Sequence, residues 1–187
     1  MKLLSSEQEG FVFKQAKNGK LCFVGDFEGL YRNVQDPWGQ SGVSHEWGRY
    51  YHFSRGRIVN LLNDLAITGS VLEVGSGHGF AANFISRSLG GIKVSGMDIS
   101  YEAVGRASGN FPNIHFFQGD ITSNRLPNQK YEAIVMNQLL WYIVMSMEKA
   151  IDNCLKILVN PGYLIFSQAF LTDKQRFAAD IIDGFVG

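Results

Sequence analysis

Apolar and polar positions follow one regime up to about residue 68 and another beyond it. In the first stretch, FVFKQAKNGKLCFV (residues 11–24) holds two short apolar runs around Lys17, Asn18, Gly19 and Lys20. Asn-Gly supplies the two positive-φ positions of a type I′ turn, so this stretch predicts a hairpin. Asp26 then caps a short helix to about Val34, which Asp36-Pro37 stops. Gly39, Gly42 and Gly48 mark a loop-like stretch. Tyr50, Phe53, Ile58, Leu61, Leu62 and Leu65 recur near helical spacing and predict a helix over about 46–64.

From Ser70 onward, strand and helix patterns alternate. Strands are expected at 71–74, 93–97, 113–118, 131–136 and 163–167, and helices at 80–89, 101–108, 147–158 and 172–183. Such alternation implies crossover connections, hence an α/β fold with a doubly wound, mainly parallel sheet and helices on both faces. Residues 69–187 are expected to form that domain. Residues 1–68 are too few and too glycine-rich to stand alone, and are expected to form a hairpin and helical cap over the carboxyl edge of the sheet.

Composition narrows the function. The chain has 187 residues, 45% of them hydrophobic, and 17 basic side chains balance 17 acidic ones. A zero net charge without any Lys/Arg run argues against a nucleic-acid or membrane-surface binder. Cys22 and Cys154 stand apart and outside any CxxC pair, which reads as two reduced thiols. The opening MKLLSSEQEG has too short an apolar run for a signal peptide, and no stretch approaches the ~20 apolar residues of a membrane span. A cytoplasmic location is the resulting expectation. No His/Cys/Asp grouping has metal-ligand spacing, so no metal is expected.

The chemistry concentrates in Glu73-Val74-Gly75-Ser76-Gly77-His78-Gly79. Glycines at alternate positions after a buried strand let the backbone turn sharply and approach a ligand, and the following helix aims free N–H groups at that place. A dinucleotide site wants GxGxxG, with glycine where this chain has Phe80, so the pyrophosphate reading loses ground. Asp98 ends the second strand about twenty residues on, where a carboxylate can accept both hydrogen bonds of a ribose diol. Asp120 ends the third strand in the same way, beside the place of a base.

In this order the segments VLEVGSGHG, VSGMDIS, FFQGDIT, YEAIVMNQLLWYI and LVNPGYLIFS resemble the successive motifs of the class I S-adenosylmethionine-dependent methyltransferases, over roughly residues 70–168. The resemblance implies a Rossmann-like fold, S-adenosylmethionine as cofactor and S-adenosylhomocysteine as product. It implies that Glu73, Gly75, Ser76, Gly77 and Gly79 hold the methionine part, Asp98 with Ile99 the ribose side, and Asp120 with Ile121 the adenine, with Asn137 at the fourth strand end. His78 falls at a variable position of the motif and is expected to face solvent. Roughly residues 30–60, with Asp36-Pro37-Trp38 and His45-Glu46-Trp47-Gly48-Arg49-Tyr50 and with LLWYI at 139–143 in support, are similar to the nodulation-type N-methyltransferases, which act on amino sugars. That second resemblance implies Arg49 paired with the cofactor's carboxylate, while Trp38, Trp47, Tyr50 and Tyr51 are read as stacking on sugar faces, closing over the cofactor, or packing the cap on the sheet.

Departures from the pattern matter. The nodulation-type tyrosine before the glutamate is His45 here, and the Ser-Glu at the fourth strand is Asn137-Gln138. An amide cannot serve as a general base, so a hydroxyl acceptor would need His45 or His52, whereas a neutral amine needs only positioning. The expected activity is methyl transfer to nitrogen or oxygen of a small polar acceptor, a sugar or amino sugar, by a monomer or homodimer without nucleic acid or membrane partners. The alternative is a cofactor-binding protein that has lost catalysis. The usual fold adds two strands that do not appear before Gly187, which points to a truncated chain or to strand five as an edge.

Overall fold

The computed structural model describes residues 10–15, 17, 21–42 and 45–169. The hairpin is present as β1 (Phe13–Gln15) and β2 (Leu21–Phe23), paired antiparallel with Phe13 opposite Phe23. Its Asn18-Gly19 turn lies outside the described residues. Helix α1 (Phe27–Asn33) follows, with the Asp26 side chain accepting the Gly29 N–H at 2.8 Å. Helix α2 (His45–Asp64) leads into the alternating part.

That part runs β3 (Ser70–Val74), α3 (Phe80–Ser88), β4 (Lys93–Asp98), α4 (Tyr101–Asn110), β5 (His115–Gln118), β6 (Tyr131–Asn137), α5 (Leu140–Ile143), a 3-10 turn (Val144–Ser146), α6 (Met147–Ile157) and β7 (Leu158–Ser167). Every neighbouring pair in the order β5-β4-β3-β6-β7 is parallel. The order runs outward from β3 to β5, then returns to β3's other side. The carboxyl ends of β3 and β6 therefore diverge into a crevice, the usual ligand place in an open α/β sheet.

Alternation along each strand sorts the core into two layers. Val71, Ala133 and Val135 face one side with Ile58 and Leu62 of α2, Ala82 and Ile85 of α3, and Ala107 of α4. Leu72, Ile134 and Met136 face the other with Ala150, Cys154 and Ile157 of α6. A third cluster joins Val12, Phe13 and Leu30 of the cap to Trp141 of α5. The cap is also tied polar-wise: Glu28 accepts from Ser100 Oγ at 2.7 Å and Glu102 N at 3.2 Å, and Arg106 Nη1 donates to the carbonyls of Val34 and Gln35.

Three expectations shift. The buried stripe of α2 is Tyr51, Ser54, Ile58 and Leu62, whereas Phe53 and Leu61 are exposed, at 65% and 42%. Arg57 lies over the Phe53 ring, 6.0 Å from its centre, so that aromatic is covered by a side chain of its own helix. Strand β7 starts at Leu158 rather than 163; its pairing jumps from Tyr131–Leu158 to Ala133–Tyr163, and Pro161 sits in the irregular stretch between. Helix α5, which the apolar LLWYI run concealed, was not expected at all. The helix expected at 172–183 lies outside the described residues.

Candidate active site

The β3–α3 turn is built as the glycines require. Gly75 and Ser76 donate to the Met97 carbonyl at 2.8 and 3.0 Å, hooking the turn onto β4. Gly77 and Gly79 have φ of 52° and 80°, a region costly to side-chain-bearing residues. Space is equally short: a Cβ on Gly77 would lie 2.8 Å from Tyr31 Oη, and one on Gly79 2.5 Å from the Phe116 ring. The cap therefore lies directly on the turn.

Asp98 is buried at the end of β4. Its Oδ2 accepts the Gly77 N–H at 2.7 Å and its Oδ1 the Ser100 N–H at 3.0 Å. Burial pushes its carboxyl up to about 6 in spite of those donors. Glu73, one strand over, is 3% exposed. Burial pushes its carboxyl up to about 8, against the pull of the Ala82 backbone N–H and of Arg55.

Arg55 comes from the inward stripe of α2. It is half-buried, donates from Nη2 to the Gln40 carbonyl at 2.8 Å, and lies 4.9 Å from the centre of the Tyr51 ring. Burial lowers its pKa and the nearby Glu73 raises it. Four buried polar side-chain atoms have no hydrogen-bond partner among the described residues: Arg55 Nε, Glu73 Oε2, Ser76 Oγ and His78 Nε2. All belong to the end of β3, the turn after it, or the arginine beside them.

The remaining expected residues scatter. Trp38 donates from Nε1 to Tyr31 Oη at 3.0 Å, and its ring packs 5.6 Å from Tyr142. Asn137 accepts a long bond, 3.4 Å, from Ser54 Oγ. Ile99 is 47% exposed beside Asp98. Asp120 Oδ1 is taken by the backbone N–H and hydroxyl of Thr122, at 2.8 and 2.7 Å. The Ile121 side chain packs in the second core layer, leaving its backbone for any polar role. Arg49 is exposed and makes no ion pair among the described residues. His52 is exposed, edge-on to Phe84 of α3 at 5.7 Å, and two residues from Ser54 on the helix, hence on nearly the opposite face. The side chain of His45 lies outside the described residues.

His78, expected to face solvent, is instead 4% exposed and lies 5.0 Å from the Tyr31 ring, because α1 covers the turn. Burial, then Arg106, lowers its pKa. Sequence reasoning also missed Tyr31, Gln40 and Arg55. One signal was available for the last: a charge at i+4 from Tyr51 and three before Ile58 falls within the buried stripe of a helix.

Gln138 has a structural occupation. At φ 59° it donates from its backbone N–H to the Ser167 carbonyl at 2.7 Å and from Nε2 to the same oxygen at 3.2 Å. Its Oε1 accepts from Ala169 N at 3.0 Å and Gln168 Nε2 at 3.3 Å, while Gln168 Oε1 accepts Leu140 N at 3.1 Å. Two glutamines thus clip the ends of β6 and β7 together. A carboxylate at Gln138 would lose the donor to Ser167 and leave that carbonyl with one bond fewer. Gln138→Glu is expected to cost about 1 kcal/mol of stability in urea unfolding at pH 7.

Residues 71–162 match the family described as "Methyltransferase domain". Over 101 residues the chain is 26% identical to a fatty-acid O-methyltransferase of Mycolicibacterium smegmatis, covering 53% of this chain and 36% of that protein. The chain thus spans little more than a third of that curated relative. Among solved structures, the N-methyltransferase NodS of Bradyrhizobium japonicum WM9, in complex with S-adenosylhomocysteine, aligns with a TM-score of 0.59 at 22% identity, over 71% of this chain and 66% of that one. The amino pentose methyltransferase CalS10 of Micromonospora echinaspora aligns with a TM-score of 0.58 at 16% identity, over 82% and 60%. At these identities the structures speak for the fold. Fold, motif order and family match agree with the class expected from the sequence.

Proposed function

Taking as premise the class I S-adenosylmethionine-dependent methyltransferase domain carried by residues 71–162, we propose that the protein methylates nitrogen on a small acceptor. S-adenosylmethionine supplies, when bound, a methyl group on a sulfonium and leaves as S-adenosylhomocysteine.

The observation that carries this reading is the set of unpartnered buried atoms around the β3–α3 turn. A buried polar atom without a partner costs about 1–3 kcal/mol, so four of them in one place mark a ligand's place. Their chemistry matches an amino-acid end. Glu73 Oε2 suits an ammonium, while Arg55 Nε and Ser76 Oγ, with the N-terminus of α3, suit a carboxylate. Arg55 takes the role expected of Arg49. Asp98 then receives the ribose hydroxyls, with Ile99 at its side, and Asp120 with the Ile121 backbone receives the adenine. Gly75, Gly77 and Gly79 let the chain approach the ligand, Asn137 lines the β6 side, and Trp38 holds Tyr31 over the turn.

Nitrogen is favoured over oxygen because nothing described at the end of β6 can take a proton. Gln138 is occupied as a clip, and His52 faces α3. A neutral amine needs alignment and exclusion of water, which the cap over the turn supplies. The occupation of Gln138 also accounts for an amide at that position without a loss of catalysis.

Neither a nucleic acid nor a membrane is part of this reading. Among the described residues no helix is long and apolar enough to cross a membrane.

Calorimetry with S-adenosylhomocysteine, run beside NADH, tests the cofactor. Micromolar binding of the first alone is expected; a folded sample that binds NADH, or neither, would overturn the reading. Transfer of labelled methyl to an amine panel and not to the matching alcohols tests the choice of nitrogen.

A further inference from the structure

One hydroxyl near the site is unused. Tyr142 lies on α5, five residues past the β6 end that carries Asn137. Its ring is the centre of an aromatic group: Phe27 meets it edge-on at 5.2 Å, Trp38 at 5.6 Å, Phe13 at 6.4 Å and Phe23 at 6.5 Å. Those partners come from the hairpin, from α1 and from the loop after it, so the ring joins cap to sheet edge. The hydroxyl makes no hydrogen bond among the described residues, although burial raises its pKa and it lies within electrostatic reach of Tyr51 and Tyr31. Tyr31 and Tyr51 are spoken for: Trp38 donates to the first, and the second donates to the Trp38 carbonyl at 2.8 Å. Tyr142 alone of the three brings an unengaged donor and acceptor to the region between cap and turn.

The walls around it are informative. Phe13, Phe23, Phe27, Trp38 and Trp141 carry no charge, and the reading above gives the nearby Arg55 to the cofactor's carboxylate. An acceptor bearing a phosphate or carboxylate near its nucleophile would find no cation in this aromatic group. Flat faces favour a ring.

We propose that Tyr142 is the residue that receives the acceptor, its hydroxyl hydrogen-bonding the nucleophilic nitrogen of an uncharged, ring-bearing amine. This rests on the methyltransferase reading above. In the transfer, the nitrogen lone pair forms the new bond to the methyl carbon as the carbon–sulfur bond breaks toward sulfur. Tyr142 accepts one N–H and so fixes the direction of the lone pair, and the surplus proton leaves the product amine for solvent.

Tyr142→Phe keeps the ring and removes only the hydroxyl. Aniline is an uncharged ring amine at neutral pH, and benzoate is its anionic counterpart. Both are titrated by ligand-observed NMR into the full chain loaded with S-adenosylhomocysteine. The wild-type protein is expected to bind aniline and not benzoate. Tyr142→Phe is expected to keep its affinity for S-adenosylhomocysteine within twofold while losing aniline about five- to tenfold. Equal aniline binding by both proteins, no aniline binding by loaded wild type, or benzoate binding as well as aniline would each overturn the proposal. Loss of S-adenosylhomocysteine from the variant alone would overturn it too, by making the hydroxyl a cofactor support. Failure of wild type to bind S-adenosylhomocysteine would instead strike the underlying reading, and the proposal with it.

Discussion

Asp98→Ala is expected to weaken S-adenosylhomocysteine binding roughly a hundredfold, about 3 kcal/mol, with the protein still folded. Two losses combine. The ribose hydroxyls lose a charged acceptor, and the turn loses its anchor, because the same carboxylate holds the Gly77 N–H at 2.7 Å and the Ser100 N–H at 3.0 Å. Folding suffers less than binding, since the substitution also removes a charge that is desolvated at neutral pH. Asp98→Asn retains one acceptor oxygen and is expected to fall between the two. Calorimetry on all three proteins checks this, with circular dichroism to verify folding. An unchanged affinity in Asp98→Ala would remove the ribose from this position.

The second large effect is a dependence of binding on pH. With its carboxyl at about 8, Glu73 is mostly protonated in the free protein at neutral pH. An ammonium placed against Oε2 favours the ionised form, so binding expels a proton. Affinity for S-adenosylhomocysteine is expected to rise between pH 6 and pH 8, by at most tenfold per unit, and Glu73→Gln is expected to flatten that slope. Stability of the free protein moves the other way. A carboxyl whose folded pKa is raised favours folding below the unfolded value, near 4.5, and that contribution is lost as pH rises toward 8. Calorimetry in two buffers of different ionisation heat counts the proton directly. Equal binding heats in both, at pH 7, would mean that Glu73 does not face the ammonium.

The alternating part of the fold was legible because its signals are local. Buried strands such as Val71–Val74, ended by glycines, state their own structure. Asp98 was legible for the same reason, since its place follows from strand and turn alone. The cap was harder. Its contacts are between segments distant in sequence, such as Tyr31 on His78 and Glu28 on Ser100, and no periodicity encodes them. His78 was therefore read as facing solvent. Arg49 was singled out by a motif's spacing, whereas the inward place of Arg55 is set by Ile58 and Leu62 on the buried face of α2. Gln138 read as a missing base because its partners, Ser167 and Ala169, arrive from the next strand.

The closeness of cap and turn bears on how fast ligand is exchanged. Tyr31 and Gln40 approach Gly77 so nearly that one methyl group would touch both. Tyr31 is held there by Trp38, and α1 by Glu28 and Arg106. A ligand lying across the turn must part some of these contacts on the way in, and its product must part them again on the way out. Where that parting is slower than methyl transfer, the pace of turnover belongs to hydrogen bonds remote from the reacting atoms, and an enzyme with perfect chemistry would still wait on them.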